Sequence, residues 1–449
     1  MAESYDLLIH NGRVFTPEGL VETDIAVRAG KVAALGRFDP GRADRSIDAS
    51  GLTVLPGVID SQVHFREPGL EHKEDLESGT RSAALGGVTA VFEMPNTSPS
   101  TLTAEDLNEK LRRAEGRAWV DHAFYIGAAA ENADDLDTLE LLPGCCGVKV
   151  FMGASTGSLL VSDDETLYRV LSHGRRRVAI HAEDEYRLEE RYPIRDAAAD
   201  CSAHPEWRDA ESAVLATQRV LRLARAAGRR IHVLHISTAD EMPILAQHKD
   251  IASVEVTPQH LTLAAPECYE QFGSKAQMNP PIRDDEHRQG LWWGVRQGIA
   301  DVIGSDHAPH TAEEKAKPYP GSPSGMPGVQ TLVPLMLDHV HNGRLSLARF
   351  VDMTSAGPAR LFGLAGKGRI AAGYDADFTL IDPKAQRQIS RAWLAYKCGW
   401  SPFEGRIVNG WPIATIVRGN VVMRDDELQD APIGQPCLFQ DTLPHPGLN

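Results

Sequence analysis

Short apolar runs separated by turn residues occupy both ends of the chain. Typical turn pairs between them are Asn11-Gly12 and Ala29-Gly30. The runs cover residues 6–10, 24–27, 31–36, 368–370, 376–382 and 413–423. Runs of this length, bounded by Gly and Asn, are typical of strands in a small antiparallel unit. We therefore predict that residues 1–57 and 369–449 join in one small β domain built from both termini.

The middle of the chain alternates apolar, strand-like runs with helical patterns. The predicted strands cover residues 52–59, 89–94, 123–126, 147–151, 179–181, 231–236, 253–256 and 301–303. Helical patterns separate many of them, for example at residues 103–115, 210–227 and 286–297. This alternation favours an α/β fold, a (β/α)8 TIM-type barrel over residues 58–368. An open, doubly wound sheet is the alternative, but the sequence has no Gly-rich phosphate loop to favour it.

The overall composition argues against two classes of partner. The chain has 449 residues, 42% of them hydrophobic, and a formal net charge of −16. Nucleic acid and anionic membranes bind clustered positive charge, so we expect a small-molecule substrate instead. No apolar run is long enough to span a bilayer, and residues 1–6 lack the basic-then-apolar pattern of a leader peptide. Because the six Cys have no regular spacing, we expect a cytoplasmic protein with reduced thiols.

Candidate metal ligands lie at the ends of several predicted strands. In chain order they are His64, Lys149, His181, His235 and Asp306. A parallel barrel brings strand ends from distant positions around one mouth, and imidazole and carboxylate are suitable Zn²⁺ ligands. Each residue alone has a simpler interpretation. A His at a strand end is usually a polar surface residue, and Lys149 between two valines also fits a solvent-facing lysine of an edge strand.

The run from Asp60 to Gly69, Asp-Ser-Gln-Val-His-Phe-Arg-Glu-Pro-Gly, resembles the first-strand motif of the amidohydrolase superfamily. The dihydroorotase form of that motif is Asp-x-His-x-His-Phe-Arg-Glu-Pro-Gly. A second run, Gly304-Ser-Asp-His-Ala-Pro-His310, resembles the last-strand signature of the same family. The resemblance implies that the five candidate ligands hold one or two Zn²⁺ ions. It also implies that Asp306 is the general acid and base and that Lys149 is carbamylated and bridges the ions.

The same resemblance implies a substrate site. The residues that match dihydroorotate-binding positions in relatives are Arg66, Asn96, Asn279 and His310. Arg66 would form a bidentate pair with the substrate carboxylate. The simpler interpretations are an ion pair of Arg66 with Glu67 or another acid, and turn chemistry for the two asparagines. Arg66 also separates relatives, since allantoinases usually carry Asn at that position and hydantoinases lack the full Arg-Glu-Pro-Gly run.

The reaction that the resemblance implies is zinc-dependent, reversible hydrolysis of L-dihydroorotate to N-carbamoyl-L-aspartate, a step of pyrimidine synthesis. An allantoinase-like or hydantoinase-like cyclic amidohydrolase is the alternative enzyme. A non-enzyme alternative also stays open. Some dihydroorotase-like proteins that have lost ligands persist as structural partners of aspartate transcarbamoylase, and self-association of this chain is open as well.

Gln62 departs from the family motif at the position of the first His. A neutral amide oxygen is a poorer Zn²⁺ ligand than an imidazole nitrogen. In the family pattern, each of the two ions has its own set of ligands. Of the set that includes the first-strand histidines, this chain keeps His64, Lys149 and Asp306. The other set, Lys149 with His181 and His235, is complete. We therefore expect the ion nearest His64 to be held less tightly than the other ion.

Overall fold

The computed structural model describes residues 4–155 and 157–443 of the chain. Residues 1–3, on which the expected absence of a leader pattern partly rests, lie outside the described residues. So do Thr156 and residues 444–449 of the predicted small β domain. No helix within the described ranges is long and apolar enough to cross a membrane. The six cysteines are all free thiols, as the irregular spacing predicts.

Short strands joined by tight turns form the N-terminal part of the chain. Their bounds are β1 Tyr5–His10, β2 Arg13–Thr16, β3 Gly19–Glu22, β4 Asp24–Arg28, β5 Lys31–Gly36, β6 Ala43–Asp48 and β7 Thr53–Pro56. The first turns adopt left-handed backbone, at Asn11 with φ 63° and at Gly30 with φ 72°, which Asn and Gly tolerate well. Four of these strands form one sheet in the order β5-β4-β1-β6.

Eight strands in sequential order form the central sheet. Their bounds are β8 Val58–Val63, β9 Val88–Glu93, β10 Asp121–Gly127, β11 Cys145–Phe151, β12 Val178–His181, β13 Ile231–Val233, β14 Ala252–Val256 and β15 Val302–Ile303. Each neighbouring pair is parallel. Val63 of β8 forms a parallel bridge with His307, which follows β15, and this bridge brings the two edges together. The prediction of a (β/α)8 barrel is confirmed.

Helices separate the barrel strands. Their bounds are α1 Leu76–Leu85, α2 Ala104–Ala114, α3 Leu136–Leu139, α4 Asp164–Ser172, α5 Glu185–Glu190, α6 Tyr192–Ala197, α7 His204–Trp207, α8 Ala210–Ala227, α9 Glu241–Ala246, α10 Pro258–Thr262, α11 Glu267–Phe272, α12 Asp285–Arg296, α13 Ala312–Lys315, α14 Leu332–His341, α15 Leu347–Val351 and α16 Gly357–Phe362. Helix α8 has a capping residue at each end. Asp209 caps its first turn by accepting from the Ser212 backbone N–H, and Gly228 ends it with φ 67°.

The C-terminal strands complete a second sheet with the N-terminal ones. Their bounds are β16 Phe378–Gln388, β17 Ile407–Val417, β18 Asn420–Arg424 and β19 Glu427–Leu428. The sheet has seven strands in the order β19-β18-β17-β16-β7-β2-β3. Strand β16 pairs antiparallel with β7, so both termini contribute to one sheet. The exact domain boundaries, at residues 57/58 and 368/369, stay predictions.

Two predicted strands are split in the structure, and one is absent. The run 52–59 was predicted as one strand but is split at Gly57 between β7 and β8, which belong to different sheets. A Cβ on Gly57 would lie 2.3 Å from Oγ1 of Thr89, so this crossing point requires a residue without a side chain. The run 413–423 is likewise two strands, joined by a tight turn at Gly419 with φ 74°. Residues 368–370 form no strand.

Side chains along each barrel strand alternate between the barrel interior and the surrounding helices. On β11, Val148 and Val150 belong to the apolar core between strands and helices. Lys149 between them faces the other way, into the barrel, and is only 1% exposed. The solvent-facing interpretation of Lys149 is therefore wrong, because β11 is an interior strand with neighbours on both sides.

Candidate functional site

The predicted site residues converge at the C-terminal end of the barrel. The cavity there has about 340 Å³ of empty volume. Its lining residues are Gln62, His64, Arg66, Asn96, Lys149, Phe151, Ser155, His181, His235, Asn279, Asp306, Ala308, Ser324 and Gly325. Every predicted site residue except His310 is among them. A cavity of this volume fits a small, compact ligand.

Strained backbone places three of these side chains. Arg66, His235 and Asp306 have φ values of 64°, 37° and 45°, in the left-handed region that side-chain-bearing residues rarely adopt. Each lies just past the end of a barrel strand, where the chain turns out of the sheet. Strain of this kind is maintained where surrounding structure holds it and concentrates at functional sites.

His181 and His235 present ring nitrogens to each other. The Nδ1 atom of His181 lies 3.1 Å from the Nε2 atom of His235. On its other side, His181 Nε2 lies 2.9 Å from the Glu183 carboxylate, which can only accept, so Nε2 carries the proton and Nδ1 presents a lone pair. Two nitrogens bound to one tetrahedral zinc ion are about 3.4 Å apart, close to the separation found here. A carboxylate behind a ligating histidine is the usual support of a metal site.

Glu183 is itself held in place by a buried arginine. Arg208 Nε and Nη2 donate to its two oxygens at 3.1 and 2.7 Å. Burial opposes the charged form of Glu183, but Arg208 and His181 outweigh it and lower the pKa of the carboxyl well below its usual range. The sequence reasoning missed both residues, although Glu183 lies only two positions after His181.

Lys149 is a buried amine without a counter-ion. Within the described residues, its Nζ has no hydrogen-bond partner. Burial lowers the pKa of Lys149 to about 7, against the opposing effect of Asp306 and Glu255. A neutral amine is the nucleophilic form that reacts with CO₂, and a buried amine with no partner is costly unless its charge state changes. Lys149 therefore fits a residue that is carbamylated.

Gln62, His64 and Asp306 form a hydrogen-bonded cluster beside Lys149. Gln62 Nε2 donates to Asp306 Oδ1 at 3.0 Å, and Gln62 Oε1 has no partner within the described residues. His64 Nδ1 lies 2.8 Å from Asn96 Oδ1, an acceptor, so Nδ1 carries the proton. The lone pair of His64 Nε2 therefore faces Asp306 Oδ1 at 3.2 Å. Two electron-rich atoms at this distance favour a proton or a cation between them.

Arg66 is a buried cation that lines the same cavity. It is 1% exposed, and among the described residues no carboxylate lies within ion-pair distance of its guanidinium. Burial lowers the pKa of Arg66 to about 10, so the group stays charged. Glu67 is not its partner, because Arg117 binds that carboxylate at 2.8 and 3.2 Å. The ion-pair interpretation of Arg66 with Glu67 is therefore wrong.

His310 lies beside Arg66, behind the cavity wall. Its Nε2 atom lies 2.9 Å from the Ser324 carbonyl oxygen, so Nε2 carries the ring proton. Its Nδ1 accepts from Lys73 Nζ at 3.1 Å, and Lys73 also pairs with Glu314 at 3.1 Å. Lys73 is a second basic side chain near Arg66. No pattern in the sequence predicts that it belongs to the site.

The described residues contain no group of three or more His, Cys, Asp or Glu side chains arranged to hold a metal ion. The predicted ligand set includes a lysine, Lys149, which belongs to none of these four types. Burial lowers the pKa of each histidine in the set, His64, His181 and His235, so all three imidazoles are neutral, the form that ligates metals. The donor set therefore fits a metal ion once Lys149 carries a carboxylate.

Comparisons with known proteins show relatives over nearly the whole chain. The model of the amidohydrolase family matches residues 53–422. The chain is 38% identical over 426 residues to a dihydroorotase from Halobacterium salinarum, covering 94% of this chain and 96% of that protein. It is 35% identical over 438 residues to an allantoinase from Salmonella newport, covering 93% and 95%.

A solved structure shows the same fold. The L-hydantoinase from Arthrobacter aurescens superposes with a TM-score of 0.90 at 32% identity, covering 96% of this chain and 99% of that one. Enzymes that open cyclic amides are thus similar to this chain over nearly its whole length. The family match, the relatives and the fold lead to one conclusion: the chain belongs to the amidohydrolase family and is a hydrolase of cyclic amides.

Proposed function

We propose that this protein is a zinc-dependent dihydroorotase, which interconverts L-dihydroorotate and N-carbamoyl-L-aspartate in pyrimidine synthesis. The observation that carries the proposal is the buried guanidinium of Arg66, which lines the cavity and has no carboxylate partner among residues 4–155 and 157–443. A buried charge without a partner is costly, and a substrate carboxylate supplies the missing charge. Dihydroorotate carries such a carboxylate, whereas allantoin and simple hydantoins present none.

Arg66 is oriented for this role by its neighbours. Its Nε donates to the Pro309 carbonyl oxygen at 3.2 Å, which fixes the plane of the guanidinium. A planar guanidinium fixed in this way binds a carboxylate through two parallel hydrogen bonds. Lys73 donates to His310 Nδ1 and pairs with Glu314, and these contacts hold the His310 ring beside Arg66. Asn96 and Asn279 are proposed to bind the rest of the ring.

Lys149, His181 and His235 are the residues that would hold the firmly bound zinc ion. When bound, Zn²⁺ supplies Lewis-acid polarisation of the amide carbonyl and makes a water molecule more acidic. Lys149 would take part as a carbamate. Its amine lone pair forms a bond to the carbon of CO₂, one proton leaves to solvent, and the product carries one negative charge. That charge replaces a cation which would repel the metal.

Asp306 is proposed to move the proton during ring opening. Gln62 and His64 both contact its Oδ1 atom, which leaves Oδ2 to take the proton from the attacking water. The same carboxyl then returns the proton to the leaving ring nitrogen. Asn96 holds His64 in the tautomer that faces Asp306.

Gln62 favours one firmly held ion over two. The Gln62 amide donates to Asp306 Oδ1. The NH₂ end of the side chain, not its carbonyl oxygen, therefore faces Asp306. A donor hydrogen repels a cation, and rotation of the amide would break its hydrogen bond to Asp306. We therefore propose that the position beside His64 binds metal weakly.

The proposal is tested by assaying the purified, zinc-loaded protein with L-dihydroorotate and with N-carbamoyl-L-aspartate. Allantoin and hydantoin serve as neutral comparison substrates at equal concentration. We expect turnover in both directions and a clear preference for the carboxylate-bearing ring. Preference for a neutral ring would favour the allantoinase or hydantoinase alternative instead. Absence of turnover with every ring, in a folded and metal-loaded protein, would favour a structural partner of aspartate transcarbamoylase, to be tested by co-purification.

A further inference from the structure

His204 lies behind the substrate-binding asparagine on the floor of the cavity. It follows the barrel strand β12 on the short helix α7, and it is 2% exposed. Its Nε2 atom lies 2.9 Å from Asn279 Oδ1, 3.1 Å from the Met278 carbonyl oxygen and 3.4 Å from the Ser324 hydroxyl oxygen, so the Asn279 oxygen is the nearest of three acceptors. Asn279 lines the cavity, whereas His204 does not. His204 thus contacts the asparagine from the side away from a ligand.

Two neighbours set the tautomer of His204. The indole Nε1–H of Trp207, which can only donate, lies 3.3 Å from His204 Nδ1. The Tyr319 hydroxyl lies 3.3 Å from the same nitrogen. Nδ1 is therefore an acceptor, and Nε2 carries the single ring proton. Burial lowers the pKa of His204 to about 3, so the ring does not gain a second proton at neutral pH.

This proton decides which end of the Asn279 amide faces the cavity. A donor at His204 Nε2 requires the oxygen end of the amide at 2.9 Å, so the NH₂ end is turned away from His204. That end lies 3.4 Å from the hydroxyl oxygen of Ser155, another lining residue. In an isolated asparagine the two ends are nearly equal in size, and only hydrogen bonds distinguish them.

We propose that His204 is a positioning residue that fixes the Asn279 amide with its NH₂ group toward the cavity, so that the site selects substrates presenting an acceptor oxygen there. The inference rests on the proposed function for the identity of that substrate, whose ring carbonyl or carboxylate supplies the oxygen. A rotated Asn279 would present its own oxygen and repel the same group. His204 would therefore act on binding through Asn279, without contacting the substrate.

A double-mutant cycle tests the proposal. His204→Phe removes the donor, and we expect KM for L-dihydroorotate to rise about tenfold, the effect of one lost hydrogen bond, with kcat changed less than about twofold. Asn279→Ala alone should raise KM at least as much. Adding His204→Phe to Asn279→Ala should then cost nothing further, because the two residues act as one unit. Independent, additive losses would overturn the inference.

Two conservative variants serve as a matched pair. Gln places an amide nitrogen near the position of histidine Nε2, whereas the shorter Asn places it near Nδ1. We expect KM of His204→Gln to lie within about threefold of that of the unmutated protein. KM of His204→Asn should be raised as much as that of His204→Phe. Equal behaviour of the two variants, with equal thermal stability, would count against a positional role.

A readout without turnover separates this inference from the proposed function. In ¹⁵N-histidine-labelled protein, the signal lost in His204→Gln identifies His204, and its nitrogen shifts report the tautomer. We expect protonation at Nε2. Protonation at Nδ1 would overturn the inference whatever the enzyme hydrolyses. If Nε2 is protonated and no cyclic amide with a carboxylate is turned over, the proposed function fails while this inference stands. The KM cycle is then run with the neutral ring that the enzyme accepts.

Discussion

Two buried lysines at opposite ends of the barrel differ in their carboxylate partners. Lys367, near the N-terminal ends of the strands, lies 2.7 Å from Asp121 and 2.6 Å from Asp377, with Asp375 at 3.2 Å. Lys149, at the C-terminal ends, has no partner for its Nζ within the described residues. The two side chains are 6% and 1% exposed, so burial alone does not distinguish them.

The charge state of each lysine follows from its partners. Burial lowers the pKa of Lys149 to about 7. Burial also opposes the charge on Lys367, but Asp377 and Asp121 outweigh it and raise its pKa well above the usual value. The comparison separates two uses of a buried amine. A lysine matched by carboxylates joins parts of a fold, whereas one left unmatched is available for chemistry.

The largest effect is expected from breaking the matched cluster. Lys367→Met should lower the free energy of unfolding by about 3–5 kcal/mol, because the buried carboxylate of Asp377 loses its lysine while Asp121 beside it keeps only Arg418. Urea denaturation of the metal-free protein measures this. Lys31→Met is the matched control, since Lys31 pairs with Asp375 on the surface and its side chain is 52% exposed. A loss as small as that of the control would show that the cluster is not important for stability.

Arg66 extends the comparison to a second basic side chain that has no carboxylate partner in the part of the chain that the structure describes. Arg66→Met should lower kcat/KM for L-dihydroorotate by a factor on the order of 10²–10³, from roughly 3–4 kcal/mol of lost recognition. Turnover of neutral rings such as hydantoin should fall much less, because they lack the carboxylate. Steady-state kinetics on both substrates, with zinc content measured in parallel, check this. Equal losses on charged and neutral rings would refute the assignment of Arg66.

Gln62→His sharpens the comparison at the metal cluster. The change supplies an imidazole where the donor end of an amide now faces Asp306. We expect zinc per chain to rise from about one to about two, with the added ion held on the order of 10–100-fold more tightly than in the unmutated protein. Metal analysis after stepwise chelation measures both. Two equally tight ions in the unmutated protein would contradict the prediction.

Lys149→Met should have the smallest effect on stability. It replaces an unmatched buried amine by an apolar side chain of similar length, so the free energy of unfolding of the metal-free protein should stay constant or rise by about 1 kcal/mol. The same variant should lose firmly bound zinc and activity. Urea denaturation of Lys149→Met and Lys367→Met under the same conditions compares their free energies of unfolding directly. Destabilisation as large as that of Lys367→Met would mean that Lys149 has a structural partner.

The sequence predicted the barrel and most of the cavity because both depend on strand ends. His64, Lys149, His181 and Asp306 lie within or just after apolar runs whose period is visible without a structure. The prediction from the sequence was wrong at Gly57, because two fully buried strands of different sheets form one continuous apolar run there. Periodicity identifies buried residues, but it does not identify the sheet to which each one belongs.

The supporting residues of the site were beyond the reach of sequence reasoning. Glu183, Arg208 and His204 act by contacting another site residue. The contacts of Arg208 with Glu183 and of His204 with Asn279 join positions far apart in the chain. Glu183 lies only two positions after His181, but it follows the end of the apolar run and belongs to no pattern. His310 was predicted as a substrate ligand, and the structure places it beside Arg66 outside the cavity lining. Strand spacing predicts which end of the barrel a residue reaches. It does not predict whether the side chain forms the cavity wall or supports it.

The pairing of β7 with β16 has a consequence for the order in which the protein is made. During synthesis, β2, β3 and β7 leave the ribosome first, but the strand that pairs with the free edge of β7 begins only at Phe378. Until then, β7 has an open edge, to which strands of other chains can add. The nascent chain thus carries that edge while the whole barrel is being synthesised, and we expect ribosome-bound chains ending before Phe378 to bind chaperones more than longer chains do.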